Sequence, residues 1–146
     1  MTKKNNAEKE QAVIQTELHE LTADLVNTFM PRASYNKIFF VNDIPVKLPL
    51  KANQEMLSFV LSGLLSAIVN HSKDSCIRLS AKIYGNIVLM QVKDSTSANT
   101  LAVKNEVRKL QPIAEKMLGS VSVTSQRKNL TTITFGFPNL PLRNRS

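Results

Sequence analysis

The feature that most constrains the fold is a strongly apolar helical segment near the middle of the chain. Its apolar residues come as adjacent pairs every four positions: Met56-Leu57, Val60-Leu61, Leu64-Leu65 and Ile68-Val69. This pattern gives an apolar face that is too broad for a helix on a surface, so other elements must cover it on several sides. Asn53 is a favourable N-cap and the segment ends at about His71, which predicts one long buried helix.

Two predicted strands follow this helix and form a hairpin. In residues 77–83 apolar side chains alternate with polar ones, which is typical of a strand with one face in water. Gly85-Asn86 supplies the turn between the strands. Residues 87–92 are apolar on both faces, which indicates a central strand, and Asp94 lies just after its end.

The remaining pattern predicts shorter strands and one interrupted helix. Residues 37–41 indicate a strand, and prolines leave residues 46–50 as an edge strand or an extended connector. A helix begins at Asn99 or Thr100, and Pro112 implies a kink or a break within it. The chain then closes with a strand pair.

That closing pair comprises residues 121–123 and 132–137. Gly119, just before it, suits the left-handed conformation that often follows a helix C-terminus. The loop at residues 127–130 joins the two strands. The predicted fold class is therefore α+β, a two-layer sandwich with a mixed, mostly antiparallel sheet and helices on one face.

At the N-terminus, apolar positions at helical spacing predict an amphipathic helix over residues 7–30, which Pro31 ends. This helix either packs on its own domain or pairs with a second copy of itself. The predicted organisation is an N-terminal helix (1–30), one sandwich domain (31–138) and a tail (139–146).

Composition excludes several classes of protein. The single cysteine, Cys76, cannot form an internal disulfide, and the two histidines lie 52 residues apart, which is no metal-binding spacing. No apolar run approaches the ~18 residues that span a bilayer. The charged N-terminus lacks a hydrophobic signal region. We therefore expect a cytoplasmic protein with no membrane segment and no metal site.

The net charge of +8 is unevenly distributed. Residues 1–30 contain three lysines and five acidic residues, a charge of −2, so the other 116 residues carry +10. A basic body attracts acidic partners or nucleic acid. Since the basic residues are scattered, and two tyrosines, six phenylalanines and no tryptophan leave few platforms for stacking bases, we expect no nucleic-acid partner.

Four segments together resemble a known family. They are the helix entered through Asn53, its polar end Asn70-His71-Ser72, the strand end Val92-Lys93-Asp94, and the closing strands from Leu118-Gly119 through residues 131–138. In order and spacing they resemble the ATP-binding domain of sensor histidine kinases, the GHKL group, over residues 37–138. The resemblance implies that Asp94 binds the adenine amino group beside Thr131 or Thr132. Capping of the following turn is the alternative role for Asp94.

The chain also departs from the pattern of that family. The family's asparagine that holds Mg²⁺ should fall at Ala67, whose side chain offers no oxygen to a metal. Asn70, nearly one turn further, is the nearest substitute, although capping or solvent contact is its simpler role. Ser95-Thr96-Ser97 replaces the expected glycines, and residues 95–117 contain no glycine for a phosphate loop. We therefore expect no cofactor, with ATP and Mg²⁺ binding weakened.

His19 lies in the sequence His-Glu-Leu-Thr, which resembles the phosphoacceptor box of histidine kinases. Only 48 residues separate it from Ala67, which leaves no room for the second helix of the family's hairpin. Leu18 and Leu21 occupy the apolar stripe, so we expect His19 to face solvent.

The resemblance and the departures together imply a degenerate, stand-alone relative of these ATP-binding domains. It would act through protein contacts in two-component signalling, with a kinase or a response regulator as partner, and without kinase activity. A homodimer through the N-terminal helix is a further expectation. The alternative is a working ATP-binding protein, either a small kinase of the anti-sigma-factor type or a sensor-kinase fragment, with Asn70, Asp94 and Thr131 lining its pocket. No catalytic residue is assigned.

Overall fold

The structure, a computed structural model, describes residues 17–95, 98–126 and 130–140. Its elements in chain order are α1 (Leu18–Tyr35), β1 (Ile38–Asn42), α2 (Gln54–Asn70), β2 (Ser75–Tyr84), β3 (Ile87–Asp94), α3 (Thr100–Arg108), α4 (Gln111–Lys116), β4 (Ser120–Gln126) and β5 (Leu130–Pro138). Several predictions fall wholly or partly outside the described residues. They concern residues 7–16 of the N-terminal helix, Thr96 and Ser97, loop residues 127–129 and tail residues 141–146.

The five strands form one mixed sheet in the order β1-β2-β3-β5-β4. β1 pairs parallel with β2, and all other neighbours are antiparallel. Parallel strands need a crossover connection, and α2 lies within the one that joins β1 to β2. The predicted α+β class with a mixed, mostly antiparallel sheet is confirmed.

The helices cover one face of this sheet. Along β2, Ile77 and Leu79 point to the helices and are buried. Arg78 and Lys82 point to the other face and are exposed, so that face is open to water. Helix α2 supplies much of the core under the covered face, and its side chains from Leu57 to Val69 include eight buried residues. The Asn53 side chain accepts a hydrogen bond from the Met56 N–H at 3.0 Å, which confirms the predicted N-cap.

The predicted end of the first helix at Pro31 is wrong, because α1 continues through Pro31 to Tyr35. A proline removes one backbone hydrogen bond from a helix interior. Tertiary packing offsets this loss, since Ala33 beyond the proline is fully buried and α1 lies against α2. The boundary drawn between residues 30 and 31 therefore falls inside a helix.

The predictions around the later helices have mixed outcomes. The helix with Pro112 breaks into α3 and α4, which confirms one of the two predicted outcomes, and the proline lies in the first turn of α4. Residues 46–50 form a connector with a single bridge at Leu50. The left-handed residue, however, is Leu118 with φ 61°, and not Gly119, so that prediction is wrong. Gly119 serves close approach instead, because a Cβ there would lie 2.3 Å from the Gly136 carbonyl oxygen.

We predict that Gly119→Ala destabilises the fold by about 1–3 kcal/mol, since the added methyl group overlaps the backbone of β5. Gly136→Ala is the matched control, because its Cβ would lie 3.6 Å from the nearest atom, an ordinary contact. The control should change the free energy of unfolding by less than about 0.5 kcal/mol. Urea denaturation followed by circular dichroism measures both, and equal midpoints would show that Gly119 is not sterically required.

Candidate functional site

The site indicated by the sequence lies where β3 ends beside the start of β5. Asp94 pairs with Ile77 on β2 and with Thr131 on β5, so Asp94 and Thr131 are cross-strand neighbours. Both face the helix layer and are almost fully buried, at 0% and 1% exposure. The structure therefore brings together two of the four predicted site residues.

Thr132 lies apart from this pair. It is the partner of Lys93 in the ladder, one residue along from Asp94. Because successive side chains in a strand point to opposite faces, Thr132 lies on the face of the sheet opposite to Asp94, where its neighbours leave it only 8% exposed. Of the two threonines predicted to accompany Asp94, only Thr131 shares its face.

The Asp94 carboxylate has a hydrogen-bond donor inside the protein. The Ser75 hydroxyl, at the start of β2, donates to Asp94 Oδ2 at 3.1 Å. A buried carboxylate requires such donors, because removal from water costs several kcal/mol for an unpaired charge. Ser75 itself is only 6% exposed. This donor could not be identified from the sequence, in which it stands 19 residues before Asp94.

The Thr131 hydroxyl contacts the first residue of α3. Thr131 Oγ1 and Thr100 Oγ1 lie 2.6 Å apart, within hydrogen-bonding distance. Asn99 caps the same helix, and its Oδ1 accepts from the Ala102 N–H at 3.2 Å. The N-terminus of α3 therefore contacts Thr131, the residue of β5 that was expected to lie beside adenine.

Helix α3 is also joined to the end of α2. The Asn99 N–H donates to the His71 carbonyl oxygen at 2.9 Å. His71 Nε2 forms a hydrogen bond with the Glu106 carboxylate, and their side chains are 29% and 35% exposed. Val103 and Val107 on the inner side of α3 are buried. Sequence reasoning missed the His71–Glu106 pair, because no periodic pattern links residues 35 positions apart.

The α2 positions that were expected near a metal and phosphates offer little to either. Ala67 is 1% exposed and contributes to the core. Asn70 is exposed, and its Nδ2 donates to Ser66 Oγ on the same helix at 3.2 Å. The buried Ser72 hydroxyl forms no hydrogen bond within the described part of the chain. Among the described residues, no three His, Cys, Asp or Glu side chains are grouped as a metal site would require.

His19 does not face solvent as expected. It is half-buried, and its Nδ1 lies 2.6 Å from the Ile44 carbonyl oxygen. The Asn42 side chain donates to the His19 carbonyl oxygen at 3.2 Å. The prediction is wrong because the connector after β1 folds back onto the first turn of α1. Within the described ranges, no helix has the length and apolar character to cross a membrane.

Solved histidine-kinase structures share this fold. The histidine kinase AdeS of Acinetobacter baumannii superposes with a TM-score of 0.73 at 12% identity, over 86% of this chain and 66% of that one. A nucleotide-free catalytic domain of the histidine kinase ThkA gives 0.72 at 16% identity, over 87% and 97%. A histidine kinase from Burkholderia phymatum gives 0.73 at 14% identity, over 95% and 78%.

These similarities establish the fold of a histidine-kinase ATP-binding domain. No protein-family model matches the chain, and no curated protein sequence is detectably similar to it. The chain spans 66% of the AdeS structure and 97% of the ThkA catalytic domain. At identities below 20% the shared fold does not by itself carry an activity across.

We predict that Ser75→Ala destabilises the protein by about 1–3 kcal/mol, because the buried Asp94 carboxylate loses a donor. Ser80→Ala, on the open face of the same strand, is the matched control and should cost less than about 0.5 kcal/mol. Chemical denaturation of the two variants measures the difference. If both variants unfold at the wild-type midpoint, Ser75 does not support the buried carboxylate.

Proposed function

We propose that the chain is a degenerate ATP-binding domain of the histidine-kinase type. It works as a protein-interaction or regulatory module in two-component signalling, in the cytoplasm and without kinase activity. The observation that carries the proposal is the position of α3, whose first residue, Thr100, contacts Thr131 where an adenine ring would be expected. The protein's own helix therefore uses the hydroxyl that would otherwise face a nucleotide.

Admission of a nucleotide would require α3 to move. That movement would break the Thr100–Thr131 contact, the Asn99–His71 backbone bond and the His71–Glu106 pair. Each such bond contributes about 0.5–1.5 kcal/mol net, so the three together oppose opening by about 1.5–4.5 kcal/mol, and exposure of the buried Val103 and Val107 adds about 1.5–3 kcal/mol each. The three bonds alone weaken apparent affinity by about 10- to 2,000-fold.

The phosphate side of the site supports the same proposal. Mg²⁺ requires oxygen ligands in near-octahedral geometry, and the buried methyl group of Ala67 supplies none. Residues 95–118 contain no glycine, so a glycine-rich backbone cradle for phosphates is missing from this stretch of the sequence. Asn70, the one substitute on α2, is hydrogen-bonded to Ser66.

Binding of a protein partner explains why the chain keeps this fold without the metal and phosphate ligands. ThkA has been solved in complex with the response regulator TrrA, and this chain superposes on that kinase with a TM-score of 0.70 at 18% identity, covering 42% of its length. By analogy, the partner proposed here is a response regulator or a kinase of a two-component pathway. The +10 charge of residues 31–146 favours an acidic surface on that partner. A homodimer through the N-terminal helix is a second proposed contact.

A working nucleotide binder is the alternative function. The observation that favours it is the adjacency of Asp94 and Thr131 on one buried face. In that case α3 would open as a lid, and the protein would be a small kinase of the anti-sigma-factor type or a sensor-kinase fragment. Nucleotide binding separates the two functions.

We predict that ATP and ADP, with or without Mg²⁺, leave the amide NMR signals of Asn70, Asp94 and Thr131 unchanged up to several millimolar nucleotide. The physical reason is the cost of displacing α3 together with the missing metal and phosphate ligands. A histidine-kinase domain that retains its asparagine and glycine loops is the positive control. Localised shifts at these residues below 1 mM nucleotide would overturn the proposal in favour of the alternative.

The signalling half of the proposal needs its own test. The purified chain should take up no label from γ-labelled ATP. It should nevertheless change the transfer of phosphoryl groups from a histidine kinase to its response regulator when all three come from the same cell. Heat-unfolded chain is the control. Unchanged transfer across the kinase pairs of that cell would contradict a role in two-component signalling.

A further inference from the structure

We propose that the free edge of β4, together with α3, forms a groove for an extended acidic segment of a partner protein, which pairs with β4 as an added strand. The proposal rests on the protein-interaction role above and names a surface and a partner chemistry for it. The groove lies on β4 and α3, away from Asp94, and its occupation does not depend on nucleotide.

The edge position of β4 follows from the sheet order. Among the strands of the described residues, β4 is the last of the sheet, and it pairs there on one side, with β5. Its other side therefore presents backbone N–H and C=O groups that can pair with another extended chain. Added strands of this kind gain affinity from main-chain hydrogen bonds and specificity from alternate side chains.

One hydrogen bond shows which backbone groups of β4 point outward. The Val121 N–H donates to Gln111 Oε1 of α4 at 3.0 Å, so it points away from β5. In an antiparallel pair, the residues that exchange hydrogen bonds alternate with those that do not. The backbone groups of Val123 and Ser125 therefore also point to the free edge. Gln111 closes the edge at Val121 and leaves Val123 and Ser125 for an incoming strand.

A cleft runs beside this edge. It has a volume of about 350 Å³ and is lined by Lys104, Val107 and Arg108 of α3, by Gln111 of α4, and by residues 121–123 of β4. Its volume lies within the usual range for binding sites, ~300–1,000 Å³. Helix α3 thus forms one wall and the edge strand the other, with Val107 at the base.

The charge of the groove is positive. Lys104 and Arg108 are exposed, whereas β4 contains no charged residue. Glu106, between the two cations in sequence, is turned to His71 on α2. On α4, the Gln111 side-chain amide donates to the Glu115 carboxylate at 3.3 Å. A segment with carboxylates facing α3 would complement Lys104 and Arg108.

The spacing of the two cations matches that of an extended chain. Residues four apart on a helix have Cβ atoms about 5–6 Å apart. Side chains on one face of a strand recur every second residue, about 6.6 Å apart. Consecutive same-face carboxylates of an added strand therefore have a spacing close to that of Lys104 and Arg108. This match favours an acidic sequence of alternating pattern, such as Glu-X-Glu.

A second basic surface supplies the control. The open face of the sheet carries Lys82 and Lys93, both exposed, and Arg78, which forms an ion pair with Asp43. K82Q/K93Q changes the net charge by the same amount as K104Q/R108Q. The two double variants therefore separate local recognition at β4 from general electrostatic attraction.

The test is an NMR titration of the isotope-labelled chain, at low ionic strength, with an octapeptide of alternating Glu and Thr. We expect localised shifts and slowed hydrogen exchange at the Val123 and Ser125 amides. K104Q/R108Q should weaken binding by about 10-fold, which corresponds to two exposed ion pairs. K82Q/K93Q should bind as the wild type does, and a peptide of alternating Gln and Thr should bind more weakly.

Ser125→Pro tests the strand pairing itself. Proline removes the outward N–H while leaving the β4–β5 ladder bonds, which an edge strand tolerates. We expect peptide binding to be lost while the unfolding midpoint stays near that of Ser125→Ala. If Ser125→Pro fails to fold, K104Q/R108Q still decides the proposal.

Several results would overturn the groove. They are shifts confined to the open face, equal weakening by the two double variants, or stronger binding of an oligothymidine strand at the same residues, which would indicate a nucleic-acid surface. The same sample distinguishes the two proposals. Peptide shifts at Val123 with nucleotide shifts at Thr131 would keep the groove and reject the proposed function. If neither the peptide nor the nucleotide shifts any amide signal, the groove is rejected and the proposed function stands.

Discussion

The attachment of α3 to the end of α2 and the start of β5 is the constraint on which the rest of the site depends. Three contacts make it: Thr100 with Thr131, the Asn99 N–H with the His71 carbonyl, and the His71 side chain with Glu106. Val103 and Val107 add a buried apolar face behind these contacts. With α3 held in this way, Asp94 is fully buried, and Lys104 and Arg108 of α3 line the cleft beside β4.

The same fold can therefore be used in a different way from a kinase. The resemblance implies that in a nucleotide-binding relative the corresponding strand end and helix offer polar groups to the ligand. Here the Ser75 hydroxyl donates to the Asp94 carboxylate, and the Thr100 hydroxyl is hydrogen-bonded to that of Thr131. The α2 position expected to hold a metal is the buried Ala67. A fold shared at 12–18% identity is compatible with either use, so the function has to be argued from these side chains.

Much of the fold could be predicted from the sequence because it follows from local periodicity. The paired apolar residues of α2, the Gly85-Asn86 hairpin and the break at Pro112 all appear as predicted. The errors occurred where tertiary contacts override local preference. Pro31 is tolerated because its helix is packed on both sides of it, and Gly119 is needed for contact with Gly136 rather than for its own dihedral angles.

The site was less predictable for the same reason. Register alone decides that Thr131, and not Thr132, shares a face with Asp94. The Ser75 donor, the Glu106 partner of His71 and the Ile44 partner of His19 all come from segments distant in sequence. A single sequence carries no pattern that pairs them, whereas the missing glycines and the alanine at position 67 are visible directly.

The central claim is that α3 is a fixed part of the domain and does not open as a lid. Native-state hydrogen exchange measures this most directly, because it gives the free energy of opening for each amide. The account predicts that the Val107 amide of α3 exchanges with the same opening free energy as Leu64 and Leu65 in α2, through global unfolding. Exchange of α3 at an opening free energy several kcal/mol lower, and insensitive to low concentrations of denaturant, would contradict the account.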